Sequence, residues 1–178
     1  MRARGGRDEE FTAFVRERGQ ELLRVAGYLT ADSGVAEDLL QVALIKSYVA
    51  WPAARQRDPY AYTRRVLVTS NIDRWRRRRW REQPSGDLDA SAGAPVIADG
   101  AQAVVDRDAL MTALGRLTPR ERSVVVLRYC EDLSERDVAD LLNVGAGTIK
   151  STASRALSKL RLDPTVIHPL EESSYGRY

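Results

Sequence analysis

The sequence of 178 residues contains one cysteine, one histidine and no apolar run of the about 18 residues that a membrane-spanning helix needs. The single cysteine, Cys130, excludes an internal disulfide and a cysteine-rich zinc site. The single histidine, His168, excludes a site with several histidine ligands. Residues 1–10 contain no apolar segment typical of a secretory signal. We therefore expect a soluble cytoplasmic protein that is not a metalloenzyme, and we expect no cofactor.

The charge of the chain is unevenly distributed, although its net value is only +3. Residues 1–82 contain 17 Lys and Arg against 11 Asp and Glu, whereas residues 83–103 contain three Asp and no basic residue. The chain becomes basic again over residues 104–162. The chain thus has two basic segments with an acidic segment between them. This pattern indicates two surfaces that face a polyanion.

Residues 83–103 also differ from the rest of the chain in composition. Gly, Pro, Ser, Asp and Ala dominate this stretch, and no apolar period runs through it. Such a segment buries too little apolar surface to offset the entropy that it loses on ordering. We therefore predict a flexible acidic linker over 83–103 between a domain at 10–82 and a domain at 104–162, with a tail over 163–178.

Helical periodicity dominates both predicted domains. Apolar residues recur at spacings of three, four and seven from Phe11 to Leu29, and helix start signals stand at Asp58-Pro59, Thr118-Pro119 and Ser134. No stretch shows the period-two alternation of a strand. The pattern predicts an all-α protein of two helical domains, with further helices over about 35–49, 59–81, 104–116, 119–131, 135–143 and 148–161. Cys130 falls on an apolar helix face, so we expect its thiol to be buried.

The last two predicted helices form the most informative unit. A turn of Gly145-Ala146-Gly147 joins them, and an apolar stripe runs along the second helix. With residues about 100° apart, the side chains opposite or beside that stripe belong to Lys150, Ser151, Ser154, Arg155, Ser158 and Lys159. This arrangement is typical of a helix-turn-helix whose second helix enters the major groove of DNA. An ordinary surface helix also carries Lys, Arg and Ser, but the glycine turn favours DNA binding.

A run of six arginines and two tryptophans occupies residues 74–81. Guanidinium groups neutralise phosphates, and tryptophan offers a flat face on which an unpaired base can stack. Part of so dense a run is solvated on any helix, and Trp75 follows Leu67 and Val68 at a spacing that also fits the core. The arginines taken together favour contact with nucleic acid.

The predicted helix over 35–49 begins with two carboxylates, Glu37 and Asp38. Carboxylates in the first turn of a helix interact favourably with the helix dipole, so a purely structural role as capping charges would explain both residues. Together with Gln41 they also form a polar patch beside Leu40, and such a patch is able to dock a partner.

The order of these segments resembles the extracytoplasmic-function (ECF) group of bacterial sigma-70 factors over residues 10–162. Ala36-Glu-Asp-Leu-Leu-Gln41 and Trp51 resemble the segment that binds the clamp helices of RNA polymerase, and residues 59–82 resemble the segment that recognises and melts the −10 promoter element. Leu117-Thr-Pro-Arg-Glu-Arg122, Gly147-Thr-Ile-Lys-Ser151 and Ser154-Arg155-Ala156 resemble the domain that reads the −35 element. The arginine–tryptophan run and the last helix are most similar to an actinobacterial SigE-type subgroup.

The resemblance implies three groups of site residues. The polymerase-binding group is Glu37, Asp38, Leu40 and Gln41. The group for −10 DNA is Tyr60, Arg64, Arg65, Thr69, Asn71, Arg74, Arg76, Arg77, Arg78, Arg79 and Trp80, and the loop Ala53–Asp58 would capture a flipped base of the non-template strand. The group for −35 DNA is Thr148, Lys150, Ser151, Ser154, Arg155 and Lys159.

The implied function is that of an initiation factor, with core RNA polymerase (through its clamp helices and flap) and promoter DNA as partners. No membrane insertion is implied, and an anti-sigma factor is left open as a further partner. The alternative is a stand-alone helix-turn-helix regulator, which accounts for residues 117–161 but not for 36–51 or the arginine–tryptophan run. An enzyme such as a nuclease would need a carboxylate cluster or a histidine base, and the sequence shows neither.

Three positions depart from the family's pattern. The family often has Phe where Leu44 stands, which should only alter packing. It commonly has Asn where Thr69 stands, and often has Arg where Thr152 stands. We expect Thr152 to contribute less to phosphate binding than that arginine would.

Overall fold

The computed structural model describes residues 2–81 and 101–162, with side chains for 6–77 and 108–162. Every regular element in these two ranges is a helix, so the all-α prediction is confirmed. The first range contains α1 (Arg2–Thr30), α2 (Ser33–Val49), α3 (Trp51–Ala54) and α4 (Pro59–Arg81). The second contains α5 (Ala101–Gly115), α6 (Pro119–Val125), a π-helical turn (Val126–Cys130), α7 (Glu135–Leu142) and α8 (Ala146–Arg161). The predicted linker up to residue 100 and the predicted tail lie outside the described residues.

Side-chain caps account for where several helices begin. Thr118 and Glu121 form a reciprocal capping box at the start of α6, and Ser134 and Asp137 form another at the start of α7. Both starts match the predictions. Asp32, which was not among the predicted start signals, caps α2 by accepting a hydrogen bond from the backbone N–H of Val35 at 2.9 Å.

The helices differ from the sequence prediction at two places. The second helix ends at Val49 as predicted, but the chain then enters the short helix α3, which the sequence analysis did not predict. Pro52 fits the first turn of α3, because a residue there has no helical partner for its N–H. The last helix begins at Ala146 rather than near residue 148, with Gly145 as its N-cap. Gly147 therefore lies in the first turn of α8 and not in a loop.

The prediction that Cys130 is buried is wrong. The π-helical turn that it ends is wider than an α-helical turn, with the Glu131 N–H donating to the Val126 carbonyl at 3.1 Å. The wider turn changes which side chains face the core, and both Tyr129 and Cys130 become exposed. Partial burial raises the pKa of the Cys130 thiol, and the negative charges of Glu131 and Asp132 raise it further. The thiol therefore stays protonated at neutral pH.

One hydrophobic cluster, here called the main core, extends through both described ranges. It contains Val25, Leu29, Leu39, Leu67 and Val68 from the first range, and Leu114, Val124, Leu127, Val138 and Ile149 from the second. A smaller cluster contains Phe14, Leu22 and Trp51. The sequence predicted two helical domains, and the structure adds that they pack together, with α1 against α5 and α6, and α4 against α7.

Arg122 links the two halves of the molecule. Its buried guanidinium donates hydrogen bonds to the carbonyls of Leu114, Gly115 and Leu117 around the end of α5, and to the Thr30 carbonyl at the end of α1. The last carbonyls of a helix have no partner within the helix, so these contacts satisfy acceptors at two helix ends. Burial lowers the pKa of Arg122 to about 10, which leaves it charged at neutral pH.

Candidate nucleic-acid interface

Helix α8 presents a polar face to solvent. Ile149, Ala153 and Ala156 are buried under the helix, as the apolar stripe predicted. The exposed side chains on its outer side include Thr148, Lys150, Ser151, Ser154, Arg155, Ser158 and Lys159. We call this set the α8 face. Its small serines leave room for close approach to a surface, while Arg155 and the lysines supply positive charge.

Two further features of α8 concern Lys159, which belongs to this face, and Thr152, which does not. The Lys159 ammonium forms an ion pair with the Glu121 carboxylate of α6 at 2.8 Å. Desolvation opposes ionisation of Glu121, but the hydrogen bonds from Lys159 and Thr118 outweigh it and lower the pKa of that carboxyl. Thr152 is only 3% exposed, so its side chain belongs to the interior and does not face solvent.

Helix α4 carries the second basic surface, here called the α4 face. Arg65, Arg74, Arg76 and Arg77 are exposed along it. Thr69 is half-buried, and its hydroxyl donates to the Arg65 carbonyl at 3.0 Å. The side chains of three further predicted residues lie outside the described part: Arg78, Arg79 and Trp80.

Asn71 does not belong to the α4 face. It is 6% exposed, and its amide nitrogen lies 3.5 Å from the Leu29 carbonyl oxygen, so it sits in the interior against α1. The helical position explains this placement, because Asn71 lies one turn after the buried residues Leu67 and Val68. Trp75 is half-buried against the main core, as its spacing from the same two residues allowed.

The beginning of α4 is in contact with the second half of the chain. A guanidinium nitrogen of Arg64 lies 2.9 Å from a Glu131 carboxylate oxygen, and both side chains are largely buried, at 17% and 10% exposure. The Tyr60 hydroxyl donates to the same carboxylate at 3.4 Å. Burial, together with the charges of Glu131 and Glu21, raises the pKa of Tyr60. Tyr60 and Arg64 are therefore not displayed to solvent in the way that Arg65 is.

The predicted loop Ala53–Asp58 precedes α4 and lines a cleft of about 630 Å³ between α4 and α7, but its first two residues belong to α3, so that the chain leaves helical structure only after Ala54. Asp58 caps α4 by accepting a hydrogen bond from the Ala61 N–H at 3.0 Å, as the Asp-Pro signal predicted. Gln56 and Arg57 of the loop are exposed. The loop thus stands beside the basic residues of α4 with which the resemblance associates it.

Helix α2 displays the predicted polar patch and an apolar stripe that the sequence analysis missed. Glu37, Asp38 and Gln41 are exposed and Leu40 is half-buried. Val42, Ile45 and Val49 are 43%, 65% and 71% exposed. The available signal was that apolar residues occur on more sides of this helix than one core face can bury. We call Asp38, Gln41, Val42, Ile45 and Val49 the α2 patch, since their spacing places them along one side of the helix.

Trp51 is not part of the α2 patch. Its ring is 3% exposed and packs 5.0 Å from Phe11 and 5.2 Å from Phe14, measured between ring centroids. Its indole nitrogen donates to a Glu10 carboxylate oxygen at 3.4 Å. Trp51 therefore anchors α3 on α1 and supports the neighbouring surface from below.

Neither a metal centre nor a membrane span is found within the described ranges. No group of three or more His, Cys, Asp or Glu side chains there could hold a metal ion. No helix there is both long and apolar enough to cross a membrane.

Comparison with known proteins places both halves in one family. Residues 14–81 match sigma-70 region 2, and residues 107–160 match sigma-70 region 4. The RNA polymerase sigma-E factor of Streptomyces avermitilis is 43% identical over 154 residues, which cover 85% of this chain and 83% of that protein. The sigma-E factor of Streptomyces coelicolor is 41% identical, with 85% and 84% covered. The ECF sigma factor SigW of Bacillus subtilis is 29% identical, with 71% and 73% covered.

Solved structures show the same fold. The sigma factor RpoE of Bartonella quintana, in complex with the anti-sigma factor NepR, matches with a TM-score of 0.62 at 21% identity, over 86% of this chain and 95% of that one. CnrH, in complex with the cytosolic domain of CnrY, matches with a TM-score of 0.52 at 21% identity, over 86% of each chain.

The chain therefore belongs to the sigma-70 family and to its ECF group. It is an RNA polymerase sigma factor of the kind that directs the core enzyme to promoters and starts transcription, and it is more similar to the two Streptomyces sigma-E factors than to SigW. A stand-alone regulator is not favoured, because the region 2 match covers the part of the chain that this alternative left unexplained.

Proposed function

We propose that this sigma factor binds core polymerase and the two promoter elements through three separate surfaces. The α2 patch docks on the clamp helices of core polymerase, the α4 face with the loop Ala53–Asp58 reads and melts the −10 element, and the α8 face reads the −35 element. Region 2 then spans 10–82 and region 4 spans 104–162, with 83–103 as a linker and 163–178 as a tail. Region 4 also contacts the polymerase flap.

The observation that carries this assignment is the α2 patch. Large apolar side chains that adjoin one another on a protein surface mark sites that a partner covers. Here Val42, Ile45 and Val49 follow the exposed polar residues Asp38 and Gln41 along one side of a well-capped helix. Apolar residues with a polar rim are the usual anatomy of a protein–protein interface. Glu37 and Leu40 complete the proposed polymerase-binding group.

The proposed −10 surface is basic and lies on a rigid helix. Arg65, Arg74, Arg76 and Arg77 are placed to bind phosphates, and Arg78 and Arg79 extend the same run. Tyr60, Arg64 and Thr69 lie nearer the loop that would hold a flipped base. Trp80 is proposed to stack on an unpaired base, whereas the burial of Asn71 removes it from this group.

The proposed −35 surface combines one candidate for base reading with several phosphate contacts. Arg155 lies in the middle of the exposed side of α8, and its fork of donors matches the edge of a guanine. Ser151 and Ser154 flank it. Thr148, Lys150 and Lys159 lie toward the ends of the face, where phosphates pass.

The proposed sigma factor catalyses no bond change of its own and has no cofactor. It acts in the cytoplasm, where RNA polymerase works. An anti-sigma factor is proposed as a regulator, since the structural neighbour RpoE is in complex with a protein of that kind.

A pull-down with core polymerase tests the proposal. The wild-type chain is expected to retain the core enzyme and to support transcription from a promoter library randomised at the −35 and −10 elements. Ile45→Glu is expected to abolish retention, because a charge cannot be buried against an apolar partner surface without a large cost. The exposed substitution Gln20→Glu on α1 is the control. Equal retention by both variants would remove the α2 patch from the interface.

A further inference from the structure

The loop Ala53–Asp58, to which the proposed function gives a flipped base, contains one residue that differs from the others in where it lies. The cleft beside α4 is lined by five of the six loop residues, namely Ala53, Ala54, Gln56, Arg57 and Asp58. Arg55 does not line the cleft and reaches α1 instead, where its guanidinium nitrogen lies 2.6 Å from a Glu10 carboxylate oxygen. The side chain of Arg55 therefore ties the loop to α1, and its neighbours are left to face a ligand.

The Glu10 carboxylate holds two residues of the segment that leads into the loop. The oxygen that accepts from Arg55 also lies 3.4 Å from the indole nitrogen of Trp51. Trp51 begins α3 and Arg55 directly follows it, so one carboxylate contacts the residues at both ends of this short helix. The hydrogen bond from Arg55 lowers the pKa of Glu10, although partial desolvation opposes it, so Glu10 is ionised at neutral pH.

Other contacts hold the neighbouring helices on α1 without Glu10. The Trp51 ring packs on Phe11, and the Tyr48 hydroxyl at the end of α2 donates to an Asp8 carboxylate oxygen at 2.5 Å. Exposed ion pairs contribute little to the stability of a whole fold, and Glu10 and Arg55 are 50% and 46% exposed. Loss of the Glu10 side chain should therefore leave α2 and α3 in place.

The loop itself depends more strongly on this ion pair than the fold does. At its far end, Asp58 is fixed because its carboxylate caps α4. Arg55 is fixed by Glu10, and only Gln56 and Arg57 lie between these two anchors, both of them exposed. A site discriminates between ligands only when its groups are held close to the binding geometry, and a loosened support is enough to lose that geometry.

We propose that Glu10 is a positioning residue for −10 recognition, which holds the loop Ala53–Asp58 through Arg55 in the conformation that accepts the flipped base. Glu10 itself touches no DNA in this assignment. The role rests on the proposed −10 function of the loop, and it adds a residue of α1 that neither the loop nor the α4 face contains. Glu10 should therefore affect the choice of base at one −10 position, and not the reading of the −35 element or the binding of polymerase.

The first experiment measures base preference with the full-length chain and core polymerase, by transcription from a library randomised at the −10 and −35 elements. Glu10→Ala should lower the preference at one −10 position about threefold, which is within the range that an exposed ion pair supplies. The −35 preference in the same reaction should stay as in the wild type. Glu10→Gln keeps an oxygen that Arg55 can donate to and should retain most of the preference. The matched control Glu9→Ala removes an exposed carboxylate one residue earlier and should change neither preference.

The second experiment asks whether Glu10 acts through Arg55. Arg55→Ala should lower the same −10 preference, and Glu10→Ala should add little to it in the double variant, because the two side chains serve one contact. Thermal unfolding and a pull-down with core polymerase accompany each variant. Glu10→Ala should match Glu9→Ala in both of these measurements, since the helices and the α2 patch stay in place.

The outcomes separate the positioning role from the proposed function. If the wild type prefers a base at −10 and Glu10→Ala prefers it equally, the positioning role is wrong. If Glu10→Ala lowers the unfolding temperature and the output of all promoters alike, Glu10 has a structural role only. Full additivity with Arg55→Ala would show that the effect does not pass through Arg55. If the wild type with core polymerase prefers no base at any −10 position, the proposed function of the loop fails, whatever Glu10 does.

Discussion

The two basic helices of this molecule, α4 and α8, differ in what lies over them. Helix α8 buries one apolar stripe and leaves the opposite side exposed, and on that side Lys159 pairs with Glu121 of α6. Helix α4 is exposed at its arginine-rich end but is covered at its beginning by Glu131 and α7. On a helix at the edge of a fold, the periodicity of its own sequence determines which side chains are exposed. On a helix between two halves of a molecule, the elements that pack against it determine this as well.

The largest effect is expected at Arg122, whose guanidinium joins the half of the molecule that contains α4 to the half that contains α8. Arg122→Ala leaves carbonyls at the ends of α1 and α5 without a donor in a buried place. We expect the free energy of unfolding to fall by about 3 kcal/mol, as measured by urea denaturation. The exposed neighbour Arg120→Ala should change it by no more than about 0.5 kcal/mol. Equal losses for the two variants would contradict a linking role for Arg122.

A second prediction concerns base reading by the exposed α8 face. Arg155→Ala should cost about 1–3 kcal/mol at one −35 position and relax the preference there. Lys150→Ala, which removes a proposed phosphate contact, should instead lower output on all sequences alike. The measurement is transcription by reconstituted polymerase on a library randomised at −35. A uniform loss with Arg155→Ala would make it a phosphate anchor and move base reading to Ser151 or Ser154.

A third prediction concerns the α2 patch, whose side chains are exposed. Asp38→Arg with Gln41→Ala should weaken polymerase binding about tenfold, which corresponds to about 1.4 kcal/mol. The unfolding free energy should change by no more than about 0.5 kcal/mol, since both side chains are exposed. Titration of labelled protein with core polymerase, alongside thermal unfolding, checks both parts. Loss of the fold, or unchanged affinity, would give these residues a structural role only.

A fourth prediction concerns the exposed end of α4. Arg76→Ala with Arg77→Ala should weaken promoter complexes nearly uniformly across sequences, because phosphates carry no sequence information. The slope of log affinity against log salt should fall by roughly 0.9 for each phosphate of duplex DNA that the variant no longer neutralises. Measurement at two or more salt concentrations with assembled polymerase tests this. An unchanged slope would mean that these arginines are solvated and do not bind phosphates.

The smallest effect is expected from the ion pair that tethers α8 to α6. The pKa of Glu121 is lowered in the folded chain, so its contribution to stability is present above its unfolded pKa of about 4.3 and is lost as pH falls through the lower folded value. Lys159→Ala should flatten this acid dependence of the unfolding free energy, whereas Lys150→Ala should leave it as in the wild type. The measurement is denaturation at a series of pH values that extends below the unfolded pKa. The same acid dependence in both variants would show that Lys159 does not hold the carboxylate.

Much of the fold was predictable from local chemistry. The capping boxes at Thr118 and Ser134 and the Asp58 cap of α4 are contacts within a few residues, so the sequence contains both partners side by side. The stripe of Ile149, Ala153 and Ala156 likewise determined which side of α8 faces inward. The π-helical turn before Glu131 was not predictable in this way, and the interpretation of Cys130 failed there.

The candidate site was predictable to a different degree on its three surfaces. The α8 face followed from one helix alone. On α2 the polar residues were identified, but the exposure of Val42, Ile45 and Val49 depends on which elements pack against that helix. On α4 the resemblance suggested Asn71, and packing against α1 places it in the interior. A side chain on a helix with two packed sides cannot be assigned to solvent or core from spacing alone.

The sequence by itself determined the helices, most of their starts, the polar face of α8 and the family to which the motifs point. All of these depend on residues that are neighbours along the chain or along one helix. Only the tertiary structure decided that Arg122 reaches the end of α1, that Glu131 holds Arg64, and that the two predicted domains share one core. Those contacts join residues that are far apart in the sequence, and no local pattern encodes which of the available surfaces will meet.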